Sequence, residues 1–237
     1  MKIHVIQHDD WVEPGEYLAW AERNGHEVSY TRVWKREALP QGTEDMLVVL
    51  GGFQCPDTTT EECEYFHAED EMALIRRYAE AGRIVIGICL GAQLLGQALG
   101  AHYGKSPERE IGPVPARLTA EGRRDSFLRH FPEVFDAGEW HNDMPGLTEE
   151  AVILAESDGC PRQIVRYGNF LYGFQTHMEF TSGIIREGLE KSGGDLEKSG
   201  RYIQSREELL AYDYTEMNRL LSGFLDNIAE EYMKQRS

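Results

Sequence analysis

Apolar and polar positions fall into alternating blocks along the first hundred residues. Lys2–Gln7 is a short apolar-rich run that reads as a buried strand, and Glu27–Val33 is a second. Between them Glu16–Asn24 has helical spacing, with Gly25 placed to end it. Met46–Leu50 (MLVVL) is continuously apolar, as in strands covered on both faces. Residues 65–81 put Ala68, Met72, Ile75 and Ala79 on one helix face, with Gly82 at its end. Arg83–Ile88 is a fourth strand. Strands alternating with helices predict βαβ units and a parallel sheet.

After residue 101 the pattern changes to closely spaced strand candidates at 112–118, 133–140, 151–155, 162–167 and 170–174, with Gly168–Asn169 as a hairpin turn. Thr181 is placed to cap a helix through Lys191, and 192–200 is a polar connection. Ser205-x-x-Glu208 forms a capping box that opens a long final helix. Its stripe of Leu210, Tyr214, Met217, Leu221, Phe224 and Ile228 would pack on its own domain or form a homodimer seam. The expected architecture is α/β. A three-layer sandwich surrounds a mixed, mainly parallel sheet with an antiparallel edge, in one domain over 1–237 with 205–235 as a C-terminal helical extension.

Charge removes several function classes. The 237 residues carry 24 Lys and Arg against 41 Asp and Glu, a net −17. Such a field repels phosphate backbones and anionic lipid, so neither nucleic acid nor membrane is an expected partner. Ile84–Ala101 is free of charge, but a β-branched run followed by helical leucine spacing reads as a strand entering a buried helix, not a membrane span. The cysteines at 55, 63, 89 and 160 match no zinc or disulfide framework and fit a reducing compartment. The N-terminus lacks the apolar core of a signal peptide, so a cytoplasmic location is expected.

The chemistry concentrates at Gly87-Ile88-Cys89-Leu90-Gly91-Ala92-Gln93. A strand reaches a small-residue turn and a helix leaves it, the logic of a nucleophile elbow with cysteine in the serine position. Glycines two before and two after the nucleophile avoid collision in so tight a turn. The helix N-terminus favours the thiolate. A cysteine nucleophile needs a base. In Phe174-Gln-Thr-His177-Met-Glu179, extended chain projects His177 and Glu179 to the same side, as a base with its orienting carboxylate. Leu50-Gly51-Gly52-Phe53 lies at the C-terminal end of the third strand, where open α/β sheets place their sites. The Gly52 and Leu90 N–H groups are the candidate oxyanion donors.

These three elements, in this order and spacing, resemble the class I glutamine amidotransferases, with G-x-C-x-G-x-Q at the elbow, a Gly-Gly oxyanion loop and F-Q-x-H-P-E downstream. Arg109-Glu-Ile-Gly and His141-Asn-Asp143 resemble segments of the GMP-synthase-like members, and nearly the whole chain looks like the stand-alone bacterial ones. The resemblance implies that Cys89 attacks the γ-carboxamide of L-glutamine or another γ-glutamyl substrate. His177 would move the protons, Glu179 would hold the imidazole, and Gln93, His141 and Asp143 would contact substrate. It implies no cofactor and no metal. Met178 stands where the family has proline, and so does Phe53.

Two motifs are decoys. Gly100–Ser106 misses a phosphate-binding loop because Leu99 occupies the first glycine position. His8-Asp9-Asp10 reads as a polar loop after a strand rather than a metal site. No nucleotide-binding synthase segment is recognisable. The chain therefore reads as a glutaminase whose ammonia acceptor lies on a separate synthase or acceptor-binding subunit. The alternatives are a γ-glutamyl hydrolase of peptides or conjugates, and a non-catalytic binding module.

Overall fold

The computed structural model describes residues 1–192, 194, 196 and 200–236. Residues 193, 195 and 197–199 of the polar connection expected over 192–200 lie outside the described residues. The elements run β1 (Lys2–Gln7), α1 (Glu16–Arg23), β2 (Glu27–Arg32), β3 (Met46–Val49), α2 (Ala68–Glu80), β4 (Ile84–Ile88) and α3 (Leu90–Ala98). There follow β5 (Gly104–Leu118), β6 (Val134–Met144), β7 (Val152–Ser157), β8 (Ile164–Gly168), β9 (Leu171–Phe174), α4 (Ser182–Ser192), β10 (Tyr202–Ile203), α5 (Arg206–Ala211) and α6 (Thr215–Lys234).

Among the described residues the strands form one sheet in the order β10-β5-β7-β8-β9-β4-β3-β1-β2, with β6 branching from β5. The run β9-β4-β3-β1-β2 is parallel throughout. From β9 through β8 and β7 to β5 the pairing is antiparallel, as is β5 with β6. This is the mixed α/β sheet expected. Parallel order has a direct consequence: the C-terminal ends of β9, β4, β3 and β1 stand side by side on one edge, and the Gly51–Gly52 loop, the Cys89 elbow and the His177 segment follow β3, β4 and β9 there.

Strand alternation divides the core in two. Ile3, Val5, Met46, Val48, Ile84, Ile86 and Ile88 face α1, α4 and α6, whereas Ile6, Leu47, Val49 and Val85 face α2 and α3. The central strands are therefore apolar on both sides, which explains their unbroken runs. The uncharged stretch 84–101 resolves into β4 and α3, and no helix among the described residues is long and apolar enough to cross a membrane.

Three expectations need correction. The helix expected from residue 65 starts at Ala68. The strands expected at 112–118 and 133–140 extend to Gly104–Leu118 and Val134–Met144, with an irregularity between Lys105 and Glu110 that polar residues conceal from a periodicity reading. The final helix is two helices. Ser205 and Glu208 do form the capping box, but the chain turns at Tyr212, leaving Leu210 39% exposed and off the stripe. From Met217 to Ile228 the apolar stripe is buried in the chain's own core, so it is not a free dimer seam. Phe224 sits among the rings of Phe127, Tyr172 and Phe174, with centroids 6.4, 5.1 and 5.0 Å away. Trp20 Nε1 donates to Asp226 Oδ1 at 2.7 Å, fastening α6 to α1.

Candidate active site

Cys89 stands between β4 and α3 with φ 52° and ψ −109°, a conformation that costs a non-glycine residue about 1–3 kcal/mol. The turn is closed by glycines on both sides. A Cβ on Gly87 would overlap the Gly91 carbonyl, and one on Gly91 would overlap the Val49 carbonyl. The Cys89 N–H donates to Phe174 O at 2.7 Å, tying the elbow to the end of β9. Burial alone would push the thiol pKa up. The hydrogen bond and charge of His177, the charge of His141 and the Leu90 N–H outweigh it, so the thiol lies below its ordinary value.

His177 follows β9. Its N–H donates to Gly138 O at 2.7 Å, and Phe180 stacks on the imidazole with centroids 4.4 Å apart. The Nδ1–Glu179 Oε1 distance is 2.7 Å. A carboxylate only accepts, so Nδ1 carries the proton and Nε2 faces Cys89. Burial disfavours the imidazolium, but the Glu179 charge and the Cys89 contact override it and push His177 up to about 10. The geometry thus favours a thiolate–imidazolium pair backed by a carboxylate. Met178, in place of the family's proline, is fully buried. Asn218 on α6 donates to both Met178 O and Phe180 O at 2.9 Å, which stiffens the segment without proline.

The Gly51–Gly52 loop lies against this pair. A Cβ on Gly51 would fall 3.2 Å from His177 Cε1 and 3.4 Å from Cys89 Cβ. Phe53, 60% exposed, does not distort the loop inward but packs outward on Trp11, with centroids 5.0 Å apart. Cys55 and Cys63 are free and partly buried.

The three residues expected to contact substrate all line the same cavity of about 320 Å³ as Cys89 and His177. Gln93 is buried, and its Nε2 donates to Gln175 Oε1 at 3.1 Å. Asp143 Oδ1 pairs with Lys105 Nζ at 2.6 Å. His141 Nε2 lies 2.9 Å from Glu139 Oε2 and 3.3 Å from Glu110 Oε2, all three buried. Burial works against the His141 charge, but the two carboxylates push it up to about 10. Glu139 is raised by burial, and the charge of Glu110 adds to that. Glu110 lies in the Arg109-Glu-Ile-Gly segment but carries no role readable from sequence, and Glu139 lies in no motif, although Glu139-x-His141 on a strand has the same i, i+2 spacing as His177-x-Glu179.

Among the described residues one group has metal-ligand proximity. Atoms of Glu110, His141 and Cys160 lie within 4.8 Å of one another. The Glu110 oxygens already accept from Ser157 Oγ and Gln163 Nε2, each at 2.7 Å, and burial pushes the Cys160 thiol up to about 12. The donor set is that of a compensated charge cluster, with the imidazolium between two carboxylates.

Comparison with known proteins agrees with this geometry. A sequence model of the family described as glutamine amidotransferase class-I matches residues 21–191. The glutamine amidotransferase-like protein YfeJ of Salmonella typhimurium is 49% identical over 232 residues, covering 96% of this chain and 97% of that protein. The glutamine-hydrolysing GMP synthase of Salmonella typhimurium is 26% identical over 70% of this chain, which spans 32% of that longer protein. The crystal structure of SMU.1228c superposes with a TM-score of 0.94 at 44% identity, covering 97% of this chain and all of that one. A glutamine amidotransferase of Thermotoga maritima shares the fold at a TM-score of 0.85 and 23% identity, over 97% of this chain and 98% of that one. With a cysteine elbow, a histidine and a glutamate arranged in this order and this fold, the chain belongs to the class I glutamine amidotransferase family.

Proposed function

We propose that the chain hydrolyses a γ-glutamyl amide through a covalent thioester, with L-glutamine as substrate. The observation that carries the reading is the strained Cys89 thiol beside His177, with Glu179 2.7 Å behind the imidazole, at the wall of an open cavity. In the first half-reaction the Cys89 thiolate attacks the γ-carbonyl carbon. The oxygen takes the negative charge and meets the Leu90 and Gly52 N–H groups. His177 gives its Nε2 proton to the departing nitrogen, and the C–N bond breaks to release ammonia. In the second, neutral His177 takes a proton from water, whose oxygen displaces the sulfur. Glutamate leaves and the thiolate–imidazolium pair is restored. Gln93, His141 and Asp143 hold the glutamyl head. Ammonia would pass to an acceptor on a separate synthase subunit.

A second reading rests on the cavity's outer wall. Trp11 and Phe53 pack there with their rings tilted, and Trp140 and Phe180 add further aromatic surface. Such a wall favours γ-glutamyl conjugates whose amine carries an apolar group. The deciding experiment measures ammonia and glutamate release from L-glutamine by wild type and Cys89→Ala, beside a panel of γ-glutamyl amides. Loss of several orders of magnitude in the variant supports the thioester route. Equal rates in both proteins would refute it, and turnover of the amides without turnover of glutamine would select the second reading.

A further inference from the structure

His8 directly follows β1, with an imidazole that is completely buried. Its Nδ1 lies 2.8 Å from Gly51 O, and its Nε2 lies 2.9 Å from Glu71 Oε2 in the first turn of α2. Phe66 packs edge-on to the ring at 5.8 Å. The protons follow from the partners. A carbonyl oxygen only accepts, so Nδ1 donates to Gly51 O. Nε2 then faces a carboxylate and must donate as well, which makes the ring an imidazolium paired with Glu71. In agreement, the burial that should lower His8 is overridden by the charge and hydrogen bond of Glu71, and its pKa is raised.

The Gly51 carbonyl and the Gly52 N–H belong to one planar trans peptide and point in opposite directions. Anything that fixes the carbonyl fixes the N–H. Two consecutive glycines give this peptide more rotational freedom than any other pair would, so its orientation has to be imposed from outside. Among the described residues the Gly52 N–H donates to no protein acceptor. A charge-assisted bond to the carbonyl also polarises the amide and strengthens its N–H as a donor.

We propose that the buried His8–Glu71 pair is the positioning device of the oxyanion loop: by gripping the Gly51 carbonyl it aims the Gly52 N–H at the oxyanion formed on attack by Cys89. The proposal rests on the acyl-transfer reading above, and His8 touches no substrate atom.

The test compares His8→Asn with His8→Leu. Asparagine Nδ2 can stand where imidazole Nδ1 stands and donate to Gly51 O; leucine cannot. Both variants strip Glu71 of its partner, so they differ in the donor alone. His8→Leu should lose ~10²–10³-fold in kcat on L-glutamine with KM changed by less than about threefold, as when one oxyanion donor is lost. His8→Asn should recover at least about tenfold of that kcat, the share expected of one well-made hydrogen bond. Alkylation of Cys89 by iodoacetamide forms no oxyanion and should keep its wild-type rate in both.

A second readout needs no turnover. Glycine labelled with ¹³C at the carbonyl and ¹⁵N at the amide correlates only Gly-Gly peptides. The sequence has two, Gly51–Gly52 and Gly193–Gly194, and Gly52→Ala identifies the first. The Gly51 ¹³C′ resonance should move upfield in His8→Leu and by less in His8→Asn and Glu71→Gln. If His8→Leu does not fold, Glu71→Gln carries the test. The charge is then gone while a neutral imidazole still donates, so a smaller upfield shift and a several-fold loss of kcat are expected. A Gly51 resonance that stays in place, kcat retained within threefold, or alkylation that falls in step with kcat would each overturn the proposal. If wild type turns over no γ-glutamyl amide, the functional reading fails, and the Gly51 resonance alone still decides whether His8 holds the loop.

Discussion

Replacing Glu179 by glutamine removes one charge and little volume, and the structure sets the size of the effect. His177 is held at about 10 although burial opposes its charge, and the Glu179 carboxylate 2.7 Å away is the largest influence raising it. Without that charge burial dominates, and only the Cys89 contact still supports the imidazolium. The His177 pKa should fall well below 10. Ammonia release ends the first irreversible stage, so kcat/KM reports the free enzyme's thiolate–imidazolium pair. The pair is competent between the Cys89 and His177 titrations, and its limits belong to the pair jointly. Wild type should therefore hold its kcat/KM up to an alkaline limb near pH 10. The Glu179→Gln limb should move well below pH 10, with about a tenfold loss at fixed alkaline pH for each pH unit it moves. A pH-independent loss of ~10² from disordered imidazole orientation should add to it. The assay is coupled glutamate detection from pH 5 to 10.5, with the pH profile of Cys89 alkylation in parallel. In that profile the acid limb should rise, because the thiolate has lost part of its cation. A uniform fall in kcat/KM with the alkaline limb still near pH 10 would refute the assignment of the His177 shift to Glu179.

Other expectations are simpler. Gly91→Ala should destabilise the fold by about 3 kcal/mol or more, because its Cβ would overlap the Val49 carbonyl; urea unfolding measures it. Phe224→Ala should cost about 3–5 kcal/mol by the same measurement, since it leaves a cavity among three rings. Asn218→Ala should lower kcat several-fold and reduce stability by about 1 kcal/mol, because it leaves two carbonyls of the His177 segment unpartnered; an unchanged kcat would mean that Met178 needs no such support. Trp11→Ala should raise KM for aryl γ-glutamyl amides more than for glutamine if the aromatic wall selects the leaving amine.

The parts of the molecule legible in sequence are those governed by short-range geometry. Met46–Leu50 announces a doubly covered strand, and Gly87-x-Cys89-x-Gly91 announces a turn whose overlaps leave room for nothing larger. His177-x-Glu179 needs only the strand period. The break at Tyr212 was not legible, because Leu210 and Tyr214 keep helical spacing on either side of it. Nor was the occupant of the α6 stripe, since an apolar face looks alike whether its own sheet or a second chain covers it.

The charged partners behind the site escaped for a different reason. His8 and Glu71 are 63 residues apart, and Glu110 and His141 lie on strands whose pairing register is offset by an irregularity. No local pattern distinguishes Glu71 from Glu69 and Asp70, which are exposed in the same helical turn. What selects Glu71 is the direction of one helix relative to the end of β1, a tertiary quantity. Burying an uncompensated charge there would cost several kcal/mol. The fold can hold His8, Glu71, Glu110, Glu139 and His141 inside only because each ion meets its opposite. The same requirement places two imidazolium rings, besides that of His177, at the active-site edge of the sheet. One faces the nucleophile's cavity and the other grips the loop beside it. In a chain of net −17 these buried cations are the local exception, and they sit where attack on an amide creates negative charge.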